Sequence, residues 1–162
     1  MTTITVRQAG LADTDGVRAV GLAAWPPTYV PLTGPEYVEW ALATWWSIEA
    51  TERGIATGDV LVAEVGGRIV GMAGLGAKDG VPVLWKLYVL PGMQGAGVGS
   101  ALMAAVFDRL RRRGDDRLRL EYLEGNERAA AFYRAHGFRE IGRTTDPERP
   151  GVPEDVWMEV AL

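Results

Sequence analysis

Val83-Leu84-Trp85-Lys86-Leu87-Tyr88-Val89-Leu90, then Pro91, then Gln94-Gly95-Ala96-Gly97-Val98-Gly99, is the stretch around which this chain is organised. The first eight residues read as a strand. Leu102, Met103, Val106, Phe107 and Leu110 then follow one face of a helix that Gly114 is placed to end. Between strand and helix, three glycines at alternate positions keep Cβ atoms away from the backbone, so its N–H groups can approach a ligand closely. They do so where a helix N-terminus adds its own unpaired donors, which makes the turn a cradle for an anion, most simply a phosphate.

Two familiar phosphate loops are excluded. No Lys-Ser or Lys-Thr follows Gly99, and the glycine spacing is wrong for a nucleotide triphosphate loop. The dinucleotide pattern Gly-x-Gly-x-x-Gly, with an acidic ribose contact about 20 residues on, is absent as well.

Upstream, Ile4-Thr5-Val6-Arg7 alternates as a strand, and Asp13 is a candidate N-cap for a helix carrying Val17, Val20 and Leu22 that should end by Pro26. Trp25 to Trp46 is rich in prolines and aromatics and reads as helical after Pro35. Ser47 to Ala56 suggests another short helix. Val60–Val65, Gly66-Gly67 and Arg68–Leu75 form a strand, a two-residue turn and a strand. Asp79-Gly80 allows a second tight turn into the Val81–Leu90 strand, so three antiparallel strands precede the glycine loop. Downstream, Arg117–Leu123 alternates as a strand that a helical crossover would lay beside Val81–Leu90. Asn126 is an N-cap candidate and Gly137 a helix stop, and strands near Arg139–Arg143 and Val156–Val160 close the chain.

Composition narrows the function. The 162 residues suit one domain, 1–162, with 48% hydrophobic and 23% charged residues. A net charge of −4 and one dense basic run, Arg111-Arg112-Arg113 at a helix end, give no support to nucleic-acid binding. There are no cysteines, which excludes disulfides, thiolate metal sites and an acyl-cysteine; with His136 the one histidine, no metal site is expected. No apolar run approaches the roughly 20 residues of a membrane span and no signal pattern opens the chain, so a cytoplasmic protein without membrane attachment is expected.

Strand, Pro91, Gln94-x-x-Gly97-x-Gly99 and helix together resemble the acyl-CoA-binding signature of the GNAT N-acetyltransferase family, Gln/Arg-x-x-Gly-x-Gly/Ala. A second stretch, Asn126-x-x-Ala129-x-x-Phe132-Tyr133-x-x-x-Gly137-Phe138, is similar to that family's second signature, in the right order and with a helix and strand between. The resemblance is specific over Leu84–Phe138 and says little about Trp25–Ala56. It implies an α/β (α+β) fold: a mixed, mostly antiparallel central sheet of about six to seven strands flanked by helices, with the two central parallel strands splayed where the cofactor enters.

The resemblance also implies acetyl-CoA as cofactor and carries roles onto residues. Gln94, Gly95, Gly97 and Gly99, with Ala96, Val98 and Ser100, would hold the pyrophosphate; Leu87 and Val89 would meet the pantetheine, and the Val89 N–H would hold the thioester carbonyl. Tyr133 would protonate the departing thiolate, since a phenol with pKa near 10 keeps its proton at neutral pH, although it could equally fill core space. Asn126 would cap its helix, contact the cofactor, or both.

Acetyl transfer to an amine needs a group to take a proton from the ammonium. Glu121, on the strand beside the cleft, is the first choice, ahead of Glu64, Glu36 and Glu39. His136, at a helix C-terminus, reads as structural. Trp25, Tyr29 and Tyr88 are candidates for the acceptor wall; Trp85 and Tyr88 should point to opposite faces of their strand. The expected function is acetyl-CoA-dependent N-acetyl transfer, by direct attack in a ternary complex, to a primary amine of a small molecule or protein. The rival is a catalytically idle acyl-CoA-binding module of the same fold. Exposed tryptophans or the last strand could supply a homodimer interface.

Overall fold

Gly66 and Gly67, at φ 59° and 78°, turn the chain between β2 (Val60–Val65) and β3 (Arg68–Lys78), and Asp79 and Gly80, at φ 53° and 77°, turn it again into β4 (Val81–Val89). Both hairpins fall where the sequence places them, because such turns need positive φ, which glycine adopts without a Cβ penalty. The computed structural model describes residues 3–162. Among them, β1 (Thr5–Gln8), β5 (Arg117–Leu123), β6 (Arg139–Thr144) and β7 (Asp155–Ala161) complete a seven-stranded sheet in the order β1-β2-β3-β4-β5-β7-β6. The helices are α1 (Thr14–Thr33), α2 (Pro35–Trp45), α3 (Ile48–Ala56), α4 (Val98–Arg113) and α5 (Glu127–Ala135).

Every neighbouring strand pair is antiparallel except β4 and β5. That parallel pair is joined only at Val83 with Arg119 and Leu84 with Leu120, beyond which the strands part. The expected splay is therefore present. Two bulges shape the strands beside it: Val70 is extra in β3, since Ala63 faces Gly71 while Glu64 faces Ile69, and Trp85 is extra in β4, since Gly74 faces Lys86 while Leu75 faces Leu84.

Helix α1 overturns one expectation: it does not end by Pro26 but runs through Pro26, Pro27 and Pro31 to Thr33. A proline removes the N–H that would bond the carbonyl four residues back. Here those carbonyls belong to Leu22, Ala23 and Pro27, all exposed, so water can satisfy them. The opposite side of the helix buries Val17, Val20, Ala24, Trp25 and Tyr29 and packs on β3 and β4, which holds the helix together. Leu22 accordingly lies on the solvent side. Asp13 precedes α1 as expected but does not cap it with its side chain; the carboxylate accepts from Arg7 at 2.8 and 2.9 Å and from the Gly10 N–H instead.

Helix α4 covers the other part of the core and packs on β1 to β4, burying Leu102, Met103, Val106 and Leu110. Gly114, at φ 85°, caps it as expected. Lys86 ties β4 to the α2–α3 link by donating to the Trp45 carbonyl at 2.6 Å, its ammonium 4.1 Å from the Trp46 ring centre. No helix among the described residues is long and apolar enough to cross a membrane.

Candidate active site

The glycine loop leaves its backbone amides open to a ligand. Gly95 and Gly97 adopt φ 82° and 88°, a conformation that a side chain would strain. Gly97 is the N-cap of α4, with no capping side chain and no acidic residue in the first turn. The first intrahelical bond is Ala101 N–H to the Gly97 carbonyl at 3.0 Å, so the amides of Val98, Gly99 and Ser100 have no helical acceptor. Gly99 has a packing role too: a Cβ there would lie 3.2 Å from the Phe132 ring of α5. Gln94, Gly95, Gly97, Gly99 and Ser100 all line one cleft of about 500 Å³. Ala96 points to solvent and the Val98 side chain is buried, so only their amides can serve it.

The cleft continues between the splayed strands, past Leu87 and Val89. The Leu90 N–H donates to the Val70 carbonyl at 2.8 Å, which makes Gly71 and Val89 a non-hydrogen-bonded pair of the β3–β4 ladder. The N–H of Val89, and by the same parity that of Leu87, therefore points away from β3 and into the gap. Pairing with β5 is confined to Val83 and Leu84, so these donors face the cleft without a strand partner. Unpaired backbone groups at this depth suit an extended, amide-bearing ligand that fills the gap.

Asn126 and Tyr133 bring α5 to the same cleft. Asn126 caps the helix, its Oδ1 accepting from the Ala129 N–H at 3.3 Å, while its side chain also lines the cleft, so the two expected placements coincide. Tyr133 sits among Tyr122, Phe132 and Phe138, and burial pushes its phenol up, so it stays protonated at neutral pH.

Of the carboxylates weighed from the sequence, the structure brings one to the cleft. Glu121 lines it, and burial, with a further push from Asp155, raises its carboxyl to about 7. Glu64 is ion-paired with Arg7, and Glu36 and Glu39 point to solvent from α2. Asp155 is the neighbour that sequence reasoning missed. Glu121 pairs with Trp157 and Leu123 with Asp155 across β5 and β7, which sets the two carboxylates diagonally on one face of the sheet. Burial raises Asp155 as well, and Lys78 attracts both.

Tyr29 and Tyr88 line the cleft, their hydroxyls 3.0 Å apart. Trp25 does not reach it: the indole is buried behind Tyr29, ring centres 4.2 Å apart. Trp85 and Tyr88 both line the cleft instead of opposing each other as expected, because Trp85 is the extra residue of the β4 bulge and breaks the alternation; Tyr88 packs on Trp46 and Trp85 on Trp157. His136 is structural, its Nδ1 2.9 Å from the Phe132 carbonyl at the end of α5.

Arg128 was also missed. Apart from Glu121 it is the one charged side chain lining the cleft among the described residues, and it donates to Gln94 Oε1, joining the first turn of α5 to the glycine loop. Its signal was its position, two residues after Asn126 in the second signature.

The model of the acetyltransferase (GNAT) family matches residues 20–138. The chain is 32% identical over 142 residues to an uncharacterized N-acetyltransferase of Mycobacterium tuberculosis, covering 83% of this chain and 88% of that protein. A shorter likeness, 48% over 60 residues, links it to the mycothiol acetyltransferase of Beutenbergia cavernae, covering 35% of this chain and 20% of that one. Among solved structures, the PaiA N-acetyltransferase of Thermoplasma acidophilum in complex with coenzyme A superposes with a TM-score of 0.87 at 22% identity, over 99% of both chains.

Proposed function

The chain belongs to the acetyltransferase (GNAT) family, whose donor is acetyl-CoA, and from that premise we propose that it transfers acetyl to a primary amine by direct attack in a ternary complex. The observation that carries this reading is one cleft joining the glycine-loop amides, the unpartnered Val89 N–H and a part-buried Glu121 whose carboxyl sits near neutrality, at about 7. A phosphate cradle alone would serve a binding module. A tuned carboxylate at the far end of the same cleft is what transfer requires.

Bound acetyl-CoA supplies an activated thioester carbonyl. The amides of the glycine loop and first turn of α4 hold its pyrophosphate, and Arg128 adds the one side-chain cation there. Leu87 and Val89 would hold the pantetheine arm, and the Val89 N–H would donate to the thioester oxygen and polarise its carbonyl. Glu121, at about 7, is part ionised at neutral pH and takes the proton of the incoming ammonium, directly or through one water. Tyr133, kept protonated by burial, donates to the sulfur as it leaves. With no cysteine in the chain, no acyl-thiol enzyme forms, and the amine attacks directly.

The test is isotope-labelled acetyl-CoA incubated with a panel of small-molecule and peptide amines. Transfer to at least one is expected. Cofactor binding without any transfer would assign the chain to the idle acyl-CoA-binding reading. Tyr133→Phe separates the roles within the site: turnover should fall about tenfold or more at near-normal cofactor affinity, and an unaltered rate would remove its acid role.

A further inference from the structure

The Tyr29–Tyr88 pair has no part in the steps above, yet it lies where the acyl group must go. Tyr88 immediately precedes Val89. The Tyr88 carbonyl carbon is bonded to the Val89 nitrogen, so a thioester oxygen held about 2.9 Å from that nitrogen puts its acyl carbon roughly 4–5 Å from the Tyr88 backbone. From that point the cleft wall is Tyr88 with Tyr29, Ala24 and Thr28 of α1.

This wall has little room to yield. The phenol oxygens are 3.0 Å apart and the rings meet edge to face, centres 6.4 Å apart. Trp25 backs Tyr29 at 4.2 Å and Tyr88 at 6.1 Å, and the fully buried Trp46 backs Tyr88 at 5.5 Å. Swinging either ring aside would break the hydroxyl pair and press an indole that is itself buried. The course of α1 through Pro26 and Pro27 is what sets Ala24, Thr28 and Tyr29 against this stretch of β4.

We infer that the hydrogen-bonded Tyr29–Tyr88 pair closes the acyl end of the cleft and restricts the donor to acetyl-CoA against longer acyl-CoA thioesters. The inference rests on the proposed placement of the thioester at Val89. The pair is thereby a determinant of donor specificity rather than part of the acceptor wall expected from the sequence.

The sign of the chain-length effect separates this from an open pocket. In an open apolar pocket each added methylene strengthens binding about fourfold. Against a closed wall, added carbons force ring displacement and weaken it, as overpacked cores do.

Calorimetric titration of the whole protein with acetyl-, propionyl- and butyryl-CoA reads this directly. Butyryl-CoA should bind the wild type about tenfold more weakly than acetyl-CoA. Tyr29→Ala should erase or reverse that order, and Tyr29→Phe, which keeps the ring but loses the bond, should narrow it. Equal or tighter butyryl-CoA binding by the wild type overturns the inference. So does an unchanged ratio in folded Tyr29→Ala or, if circular dichroism shows that variant unfolded, in Tyr29→Phe and Tyr88→Phe. Failure of every acyl-CoA to bind the wild type would instead sink the proposed function, and this inference with it.

Discussion

At its glycine-loop end the cleft presents backbone: the amides of Val98, Gly99 and Ser100, set by positive-φ glycines, with Arg128 as the sole side-chain cation among the described residues. At its other end it presents side chains drawn from across the chain: Tyr29 from α1, Tyr88 and Trp85 from β4 and Glu121 from β5, with Asp155 of β7 diagonal to Glu121 behind them. Backbone recognition depends on a short local sequence and tolerates change around it. Side-chain recognition depends on strand register, and each of its members can be altered singly. One end therefore suits the part of a ligand that stays constant, and the other the parts, acyl group and acceptor, that can vary.

The sharpest way to break this division is Glu121→Gln. It should lower turnover by about 10²–10⁴-fold and leave coenzyme A affinity within a factor of about two, checked by steady-state kinetics beside calorimetry. A parallel loss of affinity would show that the two ends are not separable. The same variant has a stability signature of definite sign. Glu121 titrates at about 7 when folded against 4.5 unperturbed, so the unfolded state releases its proton first, and stability falls as pH rises from 4.5 towards 7. Thermal melts should find Glu121→Gln stabilised at about pH 8 and much less affected at about pH 4.

Gly97→Trp attacks the other end. An indole at φ 88° is strained and fills the cradle, so coenzyme A affinity should drop by about a hundredfold or more in calorimetry. Unchanged affinity would refute the placement of the phosphate site. Arg128→Gln should cost less, about tenfold in affinity for coenzyme A and nothing for an acetyl thioester lacking phosphates. Equal losses for both ligands would mean that Arg128 acts by holding Gln94 rather than by meeting phosphate.

The smallest effect is expected for Asp155→Asn. Removing a negative neighbour lowers the Glu121 pKa, so the acid limb of the rate profile, centred near 7, should move to lower pH by less than about one unit. A limb that stays in place would mean that burial alone tunes the carboxylate.

The same local-against-distant contrast governs what the sequence revealed. Gln94–Gly99 and Asn126–Phe138 are contiguous motifs, and the hairpins at Gly66-Gly67 and Asp79-Gly80 are dictated by dihedrals that few residues adopt. All were legible without coordinates. Asp155 was not, because it closes a proline-rich connection and meets Glu121 only through the β5–β7 register. Glu64 was weighed as a base because nothing local shows that Arg7, 57 positions away, neutralises it. The length of α1 was misread for a related reason: a rule about proline in helices describes the isolated backbone, and here packing on β3 and β4, with the freed carbonyls on exposed residues opposite, outweighs it. Trp25 is aromatic and near the right place in the chain, but only the helix phase turns it behind Tyr29 instead of into the cleft.

The two residue pairs joining β4 to β5 also bear on how the chain folds. The strands β2, β3 and β4 close through two-residue turns, so their contacts are local and cost little loop entropy. Joining them to β5 requires the whole of the glycine loop and α4 to be ordered first, in return for only Val83–Arg119 and Leu84–Leu120. That seam is the costliest closure in the sheet for the bonds it returns. Hydrogen exchange should find it opening ahead of the hairpins, so the proposed cofactor site lies at the place where the chain's own folding is least complete.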